Sequence, residues 1–193
     1  MPTDVVVIFL TGHLDLLDMI PASAKGILKR VMQQKELLRA IPIELHVKLA
    51  RKKIVQEIVD KYTLLDILEA HPTLIARVDP ELIGPYLKFL EDPWFKERLP
   101  CETVRAATNH PTLLSLIPDR NLAQIITCRH IVSCIERKEL ERLLAVSNLG
   151  SRLKLSTLMV TASNLRLSQL SLRAALNFVT KQVPQSNSQL FFN

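Results

Sequence analysis

The chain has 193 residues, 48% of them hydrophobic, which excludes wholesale disorder and leaves room for one core or one elongated stack of repeats. Only four glycines occur, while Leu, Ile, Ala, Lys, Arg and Glu are plentiful; the fold class expected is all-α, with short helix pairs stacked as an α-solenoid or compact superhelical bundle. The net charge is +6, and its uneven distribution favours an acidic partner surface, protein or nucleic acid, over a neutral small substrate.

That distribution has four parts. Residues 1–24 carry a net charge of −3, and residues 25–53 hold nine basic side chains against two acids. Residues 54–141 hold ten basic and fourteen acidic side chains, and residues 142–193 hold six basic residues and no acid. The candidate partner-binding patch on the two basic flanks is Lys29, Arg30, Lys48, Arg51, Lys52, Lys53, Arg166 and Arg173.

At the N-terminus, "MPTDVVVIFLTG" is β-branched enough to suggest a strand, but no second strand follows to pair with it, so residues 1–12 are expected to form a helix capping the first repeat. The apolar run Val5 to Leu10 is far short of the roughly 20 residues that span a bilayer, and no membrane span is expected. Asp4 precedes it where a secretory signal would be positive. Three cysteines, Cys101, Cys128 and Cys134, are too few and odd in number for a disulfide framework. A reducing, intracellular location, cytoplasmic or nuclear, is expected, with export as a bacterial effector left open by the acid-free C-terminal segment.

From His13 a nine-residue frame begins: polar or His first, apolar at positions four, five and eight, and Pro or Asp last. "HLDLLDMIP" starts at 13, "QKELLRAIP" at 34, "HPTLIARVD" at 71, "DPWFKERLP" at 92 with Lys96 off-pattern, and "HPTLLSLIP" at 110; "CRHIVSCIE" at 128 is a looser copy and "RKKIVQEIV" at 51 a degenerate one. The starts lie 21, 17, 20, 21, 18 and 18 residues apart, a period near 20, or near 40 for a pair. Each copy is followed by a second apolar set at helical spacing, such as Ile27, Leu28 and Val31, or Leu82, Ile83 and Leu87. Pro21, Pro42, Pro100 and Pro118 mark breaks between helices, and Pro72 and Pro111 occupy first turns, which makes His71 and His110 punctuation near the caps.

Helices of six to eight residues are unstable alone, so the units must stack over residues 1–148. The frame resembles short HEAT-like repeats, and "VRAATNHPTLLSLIP" (Val104 to Pro118) resembles the leucine-rich variant repeat, whose units pair two helices of unequal length. The resemblance covers about residues 13 to 145 and implies a helical-repeat fold with a binding surface. That family's N-terminal cysteine cluster has no counterpart here, so no iron-sulfur centre is implied.

After Gly150 the leucines persist among Ser, Thr and Asn, and residues 149–183 are expected to form a basic helical cap, with 184–193 a flexible tail. "PQSNSQLFFN" is a candidate docking tail carried by Gln185, Leu190, Phe191 and Phe192. Its spacing resembles the sliding-clamp peptide of replication proteins, although Ser188 stands where that motif wants Leu, Ile or Met.

The chain has no P-loop, dinucleotide fingerprint, G-x-S-x-G elbow, H-E-x-x-H pair or C-x-x-C. In "CRHIVSC" His130 and Cys134 share a helical face while Cys128 points elsewhere, too few convergent ligands for zinc. "ERKELER" is a charged helix surface. Trp94 and Phe95 fill apolar slots of the frame and are expected in the core, an aromatic interaction anchor being the minority alternative. The expectation is a non-catalytic protein-protein interaction adaptor with no cofactor and no metal, not an enzyme, presenting basic surfaces to an acidic protein. The alternative is nucleic-acid binding through residues 25–53 and 142–193.

Overall fold

The computed structural model describes residues 3–110, 112, 113, 117, 118, 121, 124, 125, 127–136, 138 and 139. They are predominantly helical, and no strand occurs among them. No helix among them is long and apolar enough to cross a membrane. The chain divides into two compact units, Met1–Ile117 and Pro118–Asn193. Arg166, Arg173, the 149–183 cap and the tail residues Gln185, Leu190, Phe191 and Phe192 lie outside the described residues, as does the expected boundary at 148/149.

In the first unit the α-helices are α1 (Thr3–Gly12), α2 (Lys25–Met32), α3 (Lys35–Ala40), α4 (Ile43–Ala50), α5 (Lys53–Ile58), α6 (Lys61–Ala70), α7 (Pro80–Ile83), α8 (Pro93–Lys96) and α9 (Cys101–Thr108), with 3-10 segments between several of them. The β-branched start is the helix α1, as expected from its lack of a pairing strand. α1 packs on α3, α3 on α6 and α6 on α8, while α2 and α4 both pack on α5. Of the second unit, α10 (Arg129–Cys134) is described, with Ile131, Val132 and Cys134 buried.

The core follows the nine-residue frame. Its fourth and eighth positions are buried at Leu37 and Ile41, Ile54 and Ile58, Leu74 and Val78, Phe95 and Leu99, Leu113 and Ile117, and Ile131 and Ile135. The copy from His13 departs from it: Leu16 is exposed and Leu17 is buried. The cause is local, because Leu14–Met19 is a 3-10 helix, in which residues i and i+3 eclipse. Its inward row is Leu14, Leu17 and Ile20. Ile27, which the sequence groups with Leu28 and Val31, is 58% exposed.

Two chemistries recur at helix starts. Pro21, Pro42 and Pro100 sit at N-cap positions with extended backbone, consistent with breaks between helices. α6 and α8 are instead capped by aspartates. Asp60 Oδ1 accepts from the Thr63 N–H at 2.9 Å and the Thr63 hydroxyl at 3.0 Å, and Asp92 Oδ1 accepts from the Trp94 N–H at 2.9 Å. Burial pushes the Asp60 carboxyl up, but the Thr63 N–H, the Lys29 ammonium and the Thr63 hydroxyl together hold it below the ordinary carboxylate value. Asp60→Ala is expected to cost about 1–2 kcal/mol in urea unfolding, and Asp60→Asn, which keeps the cap, less than half of that.

His71 stands at the C-cap of α6, so it is punctuation at a helix end. Its ring lies 4.8 Å from that of His46, and its Nε2 is buried with no hydrogen-bond partner. His46 is 3% exposed, and its Nε2 lies 3.0 Å from the Leu38 carbonyl oxygen. A carbonyl can only accept, so Nε2 carries the proton and donates. Burial pushes the His46 pKa down to about 4.

Candidate interaction ridge

The aspartate caps put an aromatic ring at the same place on the helices α6 and α8, two residues past Asp60 and two past Asp92. These rings are Tyr62 and Trp94. Because α6 packs on α8, their centroids come within 4.9 Å at an interplanar angle of 61°, edge to face. Tyr62 is 54% exposed and Trp94 is half-buried. The core expectation therefore holds for Phe95, which is 3% exposed, while Trp94 keeps part of its indole at the surface.

Two cations frame the rings. The Lys61 ammonium lies 5.0 Å from the Tyr62 centroid and 5.6 Å from that of Trp94, and it also pairs with Asp92. That hydrogen bond raises Lys61 above the usual lysine value and lowers Asp92 below the usual aspartate value. The Arg98 guanidinium carbon sits 4.7 Å from the Trp94 centroid. Arg98 is exposed and has no carboxylate partner among the described residues. Each exposed cation–ring contact is worth about 0.5–1 kcal/mol. Its greater consequence is that the guanidinium is kept beside the indole, where Nη1 also donates to the Trp94 carbonyl oxygen at 3.4 Å.

The basic run 25–53 meets the acidic centre of the chain directly. Lys29 pairs with Asp60 at 3.0 Å, Lys35 with Asp66 at 2.7 Å and Arg51 with Asp79 at 3.1 Å. Lys25 pairs with Glu57. Lys52 reaches Asp18 at 2.6 Å and Asp15 at 3.6 Å. In the opposite sense, Arg77 pairs with Glu44 at 3.0 Å. Most of these groups are well exposed, so each pair adds at most about 1 kcal/mol.

The sequence-predicted patch is thereby divided. Lys29, Arg51 and Lys52 are engaged with carboxylates of the same chain, whereas Arg30, Lys48 and Lys53 are exposed with no ion pair among the described residues. Tyr62 and Arg98 were not singled out from sequence. The signal for Tyr62 is the match between "VDKYT" and "LEDPWF" at Asp60 and Asp92, which fall at equivalent caps. In α10, His130 Nε2 lies 3.8 Å from Cys134 Sγ, the shared face expected at i, i+4, while Cys128 is the N-cap and a free, half-buried thiol. Comparison of the chain with family models, curated proteins and solved structures finds no match.

Proposed function

We propose that this protein is a non-catalytic adaptor of α-solenoid type that binds an acidic segment of another protein on the ridge formed by α6 and α8. The succession of α1 on α3, α3 on α6 and α6 on α8 supports the repeat reading. The observation that carries the binding reading is the cluster of Tyr62, Trp94 and Arg98. Tyr, Trp and Arg are the side chains that contribute most at protein interfaces, and here they adjoin one another at the surface.

Arg98 supplies the acid-binding element. Held beside Trp94 by the ring and by the bond from Nη1 to the Trp94 carbonyl oxygen, it has further N–H donors to offer a carboxylate, the group that guanidinium binds best. Asp60 and Asp92 on the same ridge are already paired with Lys29 and Lys61, and one arginine beside two rings matches a single carboxylate of a peptide rather than a continuous run of phosphates. Protein is therefore favoured over nucleic acid. Arg30, Lys48 and Lys53 add long-range attraction for the same acidic partner.

The test is co-purification from cell extract with the wild-type chain, Trp94→Ala, Arg98→Glu and Lys48→Glu in parallel. A stoichiometric partner is expected on the wild type, with at least tenfold less on Trp94→Ala and on Arg98→Glu and a less than threefold change on Lys48→Glu. Undiminished recovery on both ridge variants, or no stoichiometric partner at any salt concentration, overturns the reading. Single-stranded nucleic acid is expected not to bind at low salt, and affinity falling steeply with salt would point to phosphate contacts instead.

A further inference from the structure

The first unit holds a cavity of about 100 Å³ between α4, α5, α6 and the segment 74–86. Its walls are apolar, with Met32, Leu49, Ile67 and Val78 among them, and no charged side chain lines it. The two lining residues with polar atoms are His46 and Tyr86. We propose that this cavity is a binding site for a small, uncharged, predominantly apolar molecule of benzene size, separate from the aromatic ridge.

Three observations carry the assignment. The first is size. One water molecule occupies about 30 Å³ in the liquid, and apolar cavities of about 150 Å³ stay dry and take up benzene or xenon. A void of the present size denies its lining the dispersion contacts that an occupant restores. The second is charge. His46 is the most polar group of the wall, its Nε2–H is already committed to the Leu38 carbonyl at 3.0 Å, and its low pKa keeps the ring neutral near pH 7. An anion or cation would enter with no charged side chain in the lining to offset the loss of its hydration.

The third is access. Three of the half-buried lining residues, Leu82, Ile83 and Tyr86, ride on the four-residue helix α7 and the 3-10 segment Gly84–Glu91. Such short elements are held by few internal hydrogen bonds, and 3-10 geometry is the weaker kind. Gly84, at their junction, has right-handed helical dihedrals and open space where a Cβ would stand. Neither space nor backbone angle requires glycine there, and what it supplies is main-chain freedom next to the wall.

The experiment uses the full chain, with benzene and xenon as probes and benzoate as the anion of similar shape. Benzene is expected to raise the thermal midpoint by about 3 °C, benzoate to leave it unchanged, and xenon pressure to shift methyl resonances of Leu49, Val55, Ile67 and Val78 in NMR spectra. Ala50→Leu, which projects extra carbons from the lining, is expected to abolish the benzene effect. Equal stabilisation by benzoate, retention of the benzene effect in Ala50→Leu, or methyl resonances unmoved by xenon would each overturn the proposal. The xenon spectra need no variant, so they decide the matter even if Ala50→Leu does not fold.

Discussion

Leu38→Ala is expected to lower the stability of the chain by about 3–4 kcal/mol, read as a shift of the urea midpoint at constant m value. Leu38 is 0% exposed, and its neighbour Leu37 is 1% exposed. Both lie on α3, a helix of only six residues that cannot persist without its neighbours. α3 is packed by α1, α2 and α6, so the space left by the missing carbons cannot be filled by a flexible surface chain. The large-to-small change loses both the transfer free energy of the buried carbons and the contacts across the residual void. Ile27→Ala is the control: the same kind of truncation at a residue 58% exposed is expected to change stability by less than about 0.5 kcal/mol.

A second large effect is expected from pH. His46 has a folded pKa of about 4 against 6.5 for the unfolded chain, so between those values the unfolded state binds more protons than the folded one. Stability therefore rises with pH through this window. It is fully present above about pH 6.5, falls as the pH drops towards 4, and loses nothing further from this group below that. The whole difference is worth about 3 kcal/mol, and about 2 kcal/mol of it is lost by pH 5. Glu57, Asp60 and Asp92 have pKa values lowered by their partners, and their contributions disappear only at and below the ordinary carboxylate range. The slope between pH 6.5 and 5 is thus the part to assign to His46. In His46→Gln, whose amide can still donate to the Leu38 carbonyl, unfolding free energy is expected to be flat over that interval. A slope surviving in the glutamine variant would place the buried proton site elsewhere.

The buried positions of the described core could be read from spacing alone, because apolar residues at the fourth and eighth places of the frame fall on one side of a helical turn. Leu37 with Ile41 and Phe95 with Leu99 illustrate this. The frame slipped at Leu16, where the backbone winds as a 3-10 helix and the inward row moves to every third residue. Nothing in the local pattern distinguishes that winding. His46 was invisible for a different reason. In "IELHVKLA" it occupies a polar-looking slot, and what buries it is a carbonyl of the preceding helix, a contact made in space.

The aromatic ridge was legible only in fragments. Trp94 stood out as the single tryptophan, but its relation to Tyr62 depends on two helices packing side by side, and that to Arg98 on one turn of chain. The segregation of charge was plain in the sequence and invited a partner outside the molecule. In the folded chain much of the basic block at 25–53 faces carboxylates supplied by residues 54–141. Charge composition says how much of each sign is present and not which groups meet, so the same numbers suit an external acidic surface and an internal one.

Three ion pairs of the first unit share a sequence separation: Lys29 with Asp60, Lys35 with Asp66 and Lys61 with Asp92 are each 31 residues apart. The first two spans overlap between residues 35 and 60, so one extra residue inserted there puts both out of step together, while the third is untouched. Loss of either pair alone is a small matter energetically. A one-residue slip on a helix, however, also turns the inward row by about 100°, so charge and packing fail at the same lengths. Length changes in this part of the molecule are therefore best absorbed in the turns between helices, where a loop can take up an extra residue without rotating an inward row.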